Sequence, residues 1–236
     1  MKFRKPTVDY SELRPTNITS EKFRHLLLLL YWPVFYALFC FAENGYDKYI
    51  TSLGKHFAVV YHPLDDVIPF NELFLIPYMF WFAYIVIMLL YTMFYDVEAF
   101  KGMMKFIMIT YTIALICYYT YPTIQHLRPV TFERDNFLTD FMRDFYAYDT
   151  NTNVCPSIHV FGSFASTYAV LRAAGIGKGL KASACVMNVL ICLSTVFLKQ
   201  HSVVDVFVAL PICFIAYFVS FNYKGHTRKV KNKVAI

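Results

Sequence analysis

Apolar residues are concentrated in six runs, each close to the length of a membrane-spanning helix. A helix needs about 20 mostly apolar residues to cross the hydrocarbon core of a bilayer. The fourth run is the shortest and is rich in Gly, Ala and Ser, which is typical of closely packed membrane helices. The pattern predicts an all-α, polytopic membrane protein with a six-transmembrane-helix bundle over residues 25–222. The runs lie at about 25–43, 72–95, 103–121, 158–174, 182–198 and 203–222.

The composition agrees with this pattern. Hydrophobic residues make up 58% of the chain and charged residues 16%, whereas a soluble domain has about 25% charged residues. The six cysteines are scattered without a zinc-like spacing, so we interpret them as small apolar residues. No metal or cofactor is therefore expected. The net charge of +6 comes from the chain ends and short loops, which argues against nucleic-acid binding.

The distribution of charge also predicts a topology. Residues 1–24 form a basic N-terminal arm and residues 223–236 a basic tail. An even number of spans places both on one side, and the positive-inside rule makes that side the cytoplasm of a cell-membrane protein. The loops agree, because the predicted inner loops are basic and the predicted outer loops contain many acids. The inner loops are 96–105 and 172–181, and the outer loops are 44–71 and 122–157.

Two segments of the outer loops have helix-like apolar spacing. In residues 132–149 the apolar positions fit an amphipathic helix lying at the membrane interface. Residues 50–60 show the same tendency more weakly. Such helices either pack over the bundle or serve as a lid or lipid-entry platform; simple packing is favoured.

Three polar clusters lie at the predicted outer ends of the spans, at residues 126–129, 156–159 and 199–205. Ionisable groups at such positions are costly to bury and often functional. His201 and Asp205 are four residues apart and share a helix face. A carboxylate in that position selects the imidazole tautomer and leaves the other ring nitrogen as a nucleophile.

The other two clusters supply what a phosphate group needs. His159 follows Ser157 at the start of a helix, where free backbone N–H groups favour an anion. Arg128 offers a planar donor fork suited to phosphate oxygens. Together the clusters predict a metal-free phosphoryl-transfer site. Alternatively, Arg128 is an interfacial anchor and Lys199 a snorkelling side chain; a histidine taken alone would be an interfacial residue.

These residues resemble the motifs of the type-2 phosphatidic acid phosphatase superfamily. The family pattern has Lys, six residues, then Arg-Pro; next Pro-Ser-Gly-His; then Ser-Arg, five residues, His, three residues and Asp. Here Arg128-Pro129 matches the end of the first motif and residues 156–159 the second, with Ile158 for Gly. The third motif is matched by Ser194, His201 and Asp205.

The resemblance implies roles for the matched residues. His201 would form a phosphohistidine, Asp205 would orient it, and His159 would act as acid and base. Arg128, Ser157 and the adjacent backbone at Ile158 would hold the phosphate oxygens.

The chain also departs from the family pattern. Two family cations are absent, because their positions hold Tyr121 and Thr195. Lys199 or His126 is expected to replace part of that charge.

The sequence is compatible with three functions. The leading one is a metal-independent lipid phosphate or diphosphate phosphatase acting at the outer membrane face. Its candidate substrates are polyprenyl phosphates or diphosphates, phosphatidic acid and phosphatidylglycerophosphate. The second is a lipid phospho-headgroup transferase, in which an alcohol replaces water at the same site. The third is a transporter or non-catalytic scaffold, which nearly charge-free spans and the His201–Asp205 pair argue against. The sequence does not indicate an oligomeric state.

Overall fold

The computed structural model of the protein describes residues 6–54 and 56–221 and is predominantly helical. The predicted basic tail at 223–236 and the first five residues of the arm lie outside this part of the chain. The α-helices are α1 (Tyr31–Phe41), α2 (Asp47–Ser52), α3 (Leu64–Val67), α4 (Leu75–Tyr95), α5 (Val97–Thr120), α6 (Phe137–Tyr148), α7 (Ile158–Arg172), α8 (Lys178–Phe197) and α9 (Val203–Phe221). Short 3-10 segments at Arg24–Leu30 and Glu72–Phe74 lead into α1 and α4.

Within the described residues, five helical segments are long and apolar enough to cross a membrane, which confirms a membrane protein of the all-α class. They are Arg24–Phe41, Glu72–Tyr95, Val97–Thr120, Lys178–Phe197 and Val203–Phe221. The remaining predicted span is α7, which has only 15 residues. At 1.5 Å per residue it is about 22 Å long, shorter than the hydrocarbon core of about 30 Å. The finding therefore covers five of the six predicted spans.

Helix α7 lies at the centre of the bundle, where it contacts α4, α5, α8 and α9. Its small residues Gly162, Ser163, Ala165 and Ser166 are all buried. They allow the neighbouring helices to approach closely, as the sequence predicts. A short α7 can thus be covered by protein along its length rather than by lipid.

The described part of the N-terminal arm packs against the C-terminal end of α4. The hydroxyl group of Tyr10 bonds the buried His25 ring at 2.7 Å and the Met93 carbonyl at 2.8 Å. The Thr7 amide donates to the Phe94 carbonyl at 2.8 Å. The arm from residue 6 onward is therefore docked on the bundle rather than separate from it.

The outer-loop predictions have mixed outcomes. Residues 137–148 do form a helix, α6, whose N-terminal amides are capped by the Asn136 side chain. Its buried Met142 packs in a cluster with Leu75, Tyr78 and Leu198, so α6 lies on one end of the bundle.

The weaker helix predicted at 50–60 is wrong beyond Ser52. Helix α2 ends at Ser52, and the chain turns at Gly54, which has a φ of +68°. Strand β1 (Ala58–Val59) then pairs in parallel with β2 (Thr123–Ile124). A left-handed glycine ends the helical spacing locally, and the strand pairing is a long-range contact that periodicity does not reveal.

Candidate functional site

The ends of three helices bring the predicted catalytic residues together. Helix α7 begins directly after Ser157, and α9 begins two residues after His201, which follows the end of α8. The His201 Nε2 atom lies 3.4 Å from the His159 Nδ1 atom and 3.4 Å from the Ser157 hydroxyl group. Residues 44 positions apart in the chain thus meet at one end of the bundle.

The other side of the His201 ring is fixed by two acceptors. Its Nδ1 atom lies 3.0 Å from an oxygen of Asp205 and 3.0 Å from the Val154 carbonyl oxygen. Because a carboxylate and a carbonyl accept hydrogen bonds, Nδ1 carries the hydrogen and donates it. In the neutral ring the lone pair is then on Nε2, which faces His159. Asp205 is fully buried, and the same oxygen accepts the Ser202 amide at 3.1 Å.

The short α8–α9 connection is held in place by backbone bonds and by Asp65. The Thr195 carbonyl accepts the amides of Gln200 and His201, both at 3.0 Å. The Asp65 carboxylate accepts the Ser202 hydroxyl at 2.6 Å and the Val203 amide at 2.9 Å. Asp65, which lies in the short helix α3, thereby caps the start of α9 from a distant part of the chain. Sequence reasoning missed this role, since Asp65 was one of many outer-loop acids.

The His159 ring is enclosed by two aromatic side chains of α4. Tyr78 stacks on it at a centroid distance of 4.5 Å, and Trp81 packs at 4.3 Å. Gly162, one turn along α7, makes room for this arrangement. A Cβ atom there would lie 2.7 Å from the Trp81 indole nitrogen and 2.5 Å from Ile85. The sequence did not predict either ring: Tyr78 is one of 43 Phe and Tyr residues, and Trp81 lies within an apolar run, where an aromatic side chain is expected to pack or face lipid.

Arg128 does not line the cavity between the two histidines, contrary to its predicted role as a phosphate ligand. Its guanidinium group donates to the carbonyls of Tyr146, Asp149 and Thr150 at 3.0, 2.8 and 2.6 Å. It also donates to the Gln200 side-chain oxygen at 2.6 Å. Burial lowers the pKa of Arg128, an effect that the nearby Asp149 opposes. The guanidinium group is occupied in tying the loop after α6 to the residue before His201.

Lys199, also predicted as a phosphate ligand, points elsewhere. Its ammonium group donates to the carbonyls of Asp65, at 2.5 Å, and Ile68. Burial lowers the pKa of Lys199, although Asp65 opposes the shift. The backbone at Lys199 is left-handed, with a φ of +51°, and the residue does not line the cavity. His126 is exposed and does not line the cavity either, so neither side chain faces the space between the two histidines.

The predicted residues that do line the cavity are His159, His201 and Ile158. The space is about 50 Å³, enough for a few water-sized groups. Of the described residues, no lysine or arginine lines it, whereas the acidic Glu43 and Asp149 do. Burial raises the pKa of the Asp149 carboxyl group, and Arg128 opposes that shift. The rest of the lining is uncharged: Phe39, Tyr78, Tyr118, Thr150, Thr152, Asn153, Val154 and Gln200.

The arrangement provides a nucleophilic ring nitrogen, a second imidazole beside it, and polar groups around a small space. Among the described residues, no group of three or more His, Cys, Asp or Glu side chains is placed to hold a metal ion. No protein-family model, curated protein or solved structure matches the chain. The case for a function therefore rests on the site's own geometry.

Proposed function

We propose that the protein is a metal-independent enzyme that transfers a phosphoryl group from a membrane lipid through a phosphohistidine. The observation that carries the proposal is the orientation of His201, whose Nδ1 donates to Asp205 while Nε2 lies 3.4 Å from His159. The resemblance to the type-2 phosphatidic acid phosphatase superfamily points to the same chemistry. Ser157 does not line the cavity, but its buried hydroxyl group lies 3.4 Å from Nε2 and can donate to an oxygen of a phosphate group bonded to that nitrogen.

The reaction uses these groups in two steps. The His201 Nε2 lone pair attacks phosphorus, the bond from phosphorus to the lipid oxygen breaks, and protonated His159 gives its proton to that oxygen. Neutral His159 then takes a proton from water, whose oxygen attacks the phosphohistidine. The P–N bond breaks, phosphate leaves, and both rings return to their starting states. Asp205 stabilises the positive charge that His201 carries while its Nε2 is bonded to phosphorus.

The proposed setting is a cell membrane, with six spans, both termini in the cytoplasm and the site on the outer face. The five apolar helical segments support the membrane setting. The burial of α7 among other helices supports counting it as a short sixth span. The basic and acidic loops support the orientation.

A lipid panel tests the proposal directly. The purified protein, in detergent with EDTA, is given phosphatidic acid, phosphatidylglycerophosphate, and polyprenyl phosphate and diphosphate. We expect phosphate release from at least one lipid, loss of that release in His201→Ala, and an acid-labile phosphoprotein in the wild type. His126→Ala is the matched control, because His126 is exposed and lies outside the cavity. Release that survives His201→Ala would remove the nucleophile assignment.

The acidic lining favours a second candidate, transfer of a phospho-headgroup to an alcohol. Glu43 and Asp149 would repel the two negative charges of a phosphomonoester more than the single charge of a phosphodiester. Carboxylates also accept hydrogen bonds from the hydroxyl groups of a headgroup or an acceptor alcohol. This candidate predicts turnover of a diester such as phosphatidylglycerol only when an acceptor alcohol is added. Inactivity with every lipid and acceptor would instead favour a non-catalytic scaffold.

A further inference from the structure

An apolar groove of about 560 Å³ runs between α1 and α4. Helix α1 packs against α5, and α4 packs against α5, α7 and α8, which leaves the groove between the two. Its walls are almost entirely hydrocarbon and aromatic surface. The α1 wall includes Trp32, Phe35 and Phe39, and the α4 wall includes Trp81, Ile85 and Leu89.

One end of the groove meets the catalytic cavity. Phe39 and Ile158 line both spaces, and Trp81, a wall of the groove, packs on the His159 ring. From this junction the groove continues along α1 to Trp32 and along α4 to Leu89. Phe39 and Trp32 are seven residues apart on α1, and Trp81 and Leu89 are eight residues apart on α4. These separations correspond to about 10–12 Å of helix.

The groove is open toward the surroundings of the bundle. Tyr36 and Phe82 also line it and are 68% and 67% exposed. Both helices belong to segments apolar enough to span a membrane. The groove therefore opens sideways, into the hydrocarbon core of the bilayer in the proposed setting, and a lipid can enter it without leaving the membrane.

We propose that this groove binds one hydrocarbon chain of the lipid whose phosphate group reacts at His201. The inference rests on the proposed function and adds a site for the substrate's chain. The lining changes from polar to apolar at Phe39 and Ile158, which matches the change from headgroup to chain in a phospholipid. Within a membrane, selection of the chain comes from close packing with the walls rather than from the hydrophobic effect.

The chain's two tryptophans give a direct test, because both Trp32 and Trp81 line the groove. A phosphatidic acid or phosphatidylglycerol with bromine atoms on its acyl chains is added to the protein in detergent micelles. The His201→Ala variant is used so that the lipid is not consumed. We expect saturable quenching of tryptophan fluorescence, reversed by the same lipid without bromine and not produced by brominated diacylglycerol at the same concentration.

A matched pair of variants locates the binding. Val86 lines the groove, whereas Leu90, one turn further along α4, is exposed and does not. Val86→Phe should weaken the quenching affinity about tenfold by filling the groove, and Leu90→Phe should leave it unchanged. Equal affinity in both variants, or quenching that never saturates, would overturn the proposal.

The outcomes separate this inference from the proposed function. Saturable, Val86-dependent quenching by a protein that converts no lipid would support the groove and refute the catalytic proposal. Conversion of lipid without saturable quenching would support catalysis and refute the groove as the chain site.

Discussion

At the scale of single residues, the orientation of His201 depends on what its Nδ1 atom meets. Asp205 and the Val154 carbonyl both accept from Nδ1 at 3.0 Å, and both are buried. Only one of them carries a charge that can stabilise the imidazolium formed when Nε2 reacts. The carboxylate should therefore matter more to catalysis than to folding.

Replacing Asp205 with Asn tests whether the carboxylate contributes more to catalysis than to folding. The amide keeps the shape of the side chain but removes the charge and places a donor group beside Nδ1. By analogy with the same change in serine-protease triads, we expect turnover to fall by about 10³–10⁴-fold. Lipid turnover and the unfolding temperature in detergent are the two measurements. Turnover within tenfold of the wild type would contradict the assigned role of Asp205.

Gly162 offers a test of the packing around His159. A methyl group at this position would meet Trp81, Ile85 and the Tyr111 hydroxyl at 2.5–2.7 Å, so Gly162→Ala should force Trp81 against the His159 ring. We expect a loss of about 1–3 kcal/mol of stability, typical of overpacking, together with lower turnover. Gly179→Ala on α8 is the control, because outside the adjacent helix backbone no heavy atom lies within 4 Å of the added carbon. Equal behaviour of the two variants would show that the contact at Gly162 is tolerated.

Individual site residues differed in how well the sequence predicted them. The structure brings His159, His201, Asp205 and Ser157 together, and local properties of the sequence, helix starts and a four-residue interval, indicated these residues. Their catalytic roles stay predictions. Arg128 and Lys199 were placed wrongly, since each meets carbonyl groups from segments far away in the chain. No spacing rule identifies such long-range partners for a cation.

At the scale of elements, Arg128 joins the loop after α6 to the α8–α9 connection. Its guanidinium group serves three carbonyls and Gln200 at once, which an ammonium group cannot reproduce. Arg128→Lys should therefore cost about 1.5–3 kcal/mol of stability, the range for hydrogen bonds to charged groups. It should also reduce turnover, because Gln200 precedes His201.

The control for Arg128 is on α6 itself. Arg143 pairs with Asp135 and Asp140, but all three side chains are largely exposed. Arg143→Lys should change stability by less than about 1 kcal/mol. Thermal and denaturant unfolding in detergent measure both variants. A larger effect at Arg143 than at Arg128 would contradict the interpretation of Arg128 as the link between the two segments.

The six apolar runs were readily predicted as helices because helix length and hydropathy are local properties of the sequence. The small residues of α7 likewise predicted close packing, and they are buried. By contrast, the β1–β2 pairing joins residues more than 60 positions apart. The groove between α1 and α4 depends on how the two helices are placed around it in the bundle, so neither feature has a signature in the sequence.

At the scale of the whole molecule, the orientation in the membrane is tested through α8. This helix runs from Lys178 to Phe197 and is about 30 Å long, enough to cross the hydrocarbon core. The C-terminal end of α8 lies beside α6, since the Tyr146 hydroxyl donates to the Leu198 carbonyl at 2.6 Å. A label on α6 and a label at Lys178 therefore report opposite ends of the bundle.

The experiment uses a parent in which the six native cysteines are replaced by serine or alanine. Asp144 and Lys178 are both exposed, and each is changed to cysteine in turn. With a membrane-impermeant maleimide we expect Asp144→Cys to react in intact cells and Lys178→Cys to react only after permeabilisation. The reverse pattern would place the site on the cytoplasmic face. Reaction of both in intact cells would mean that α8 does not cross the membrane, and would remove the six-span proposal.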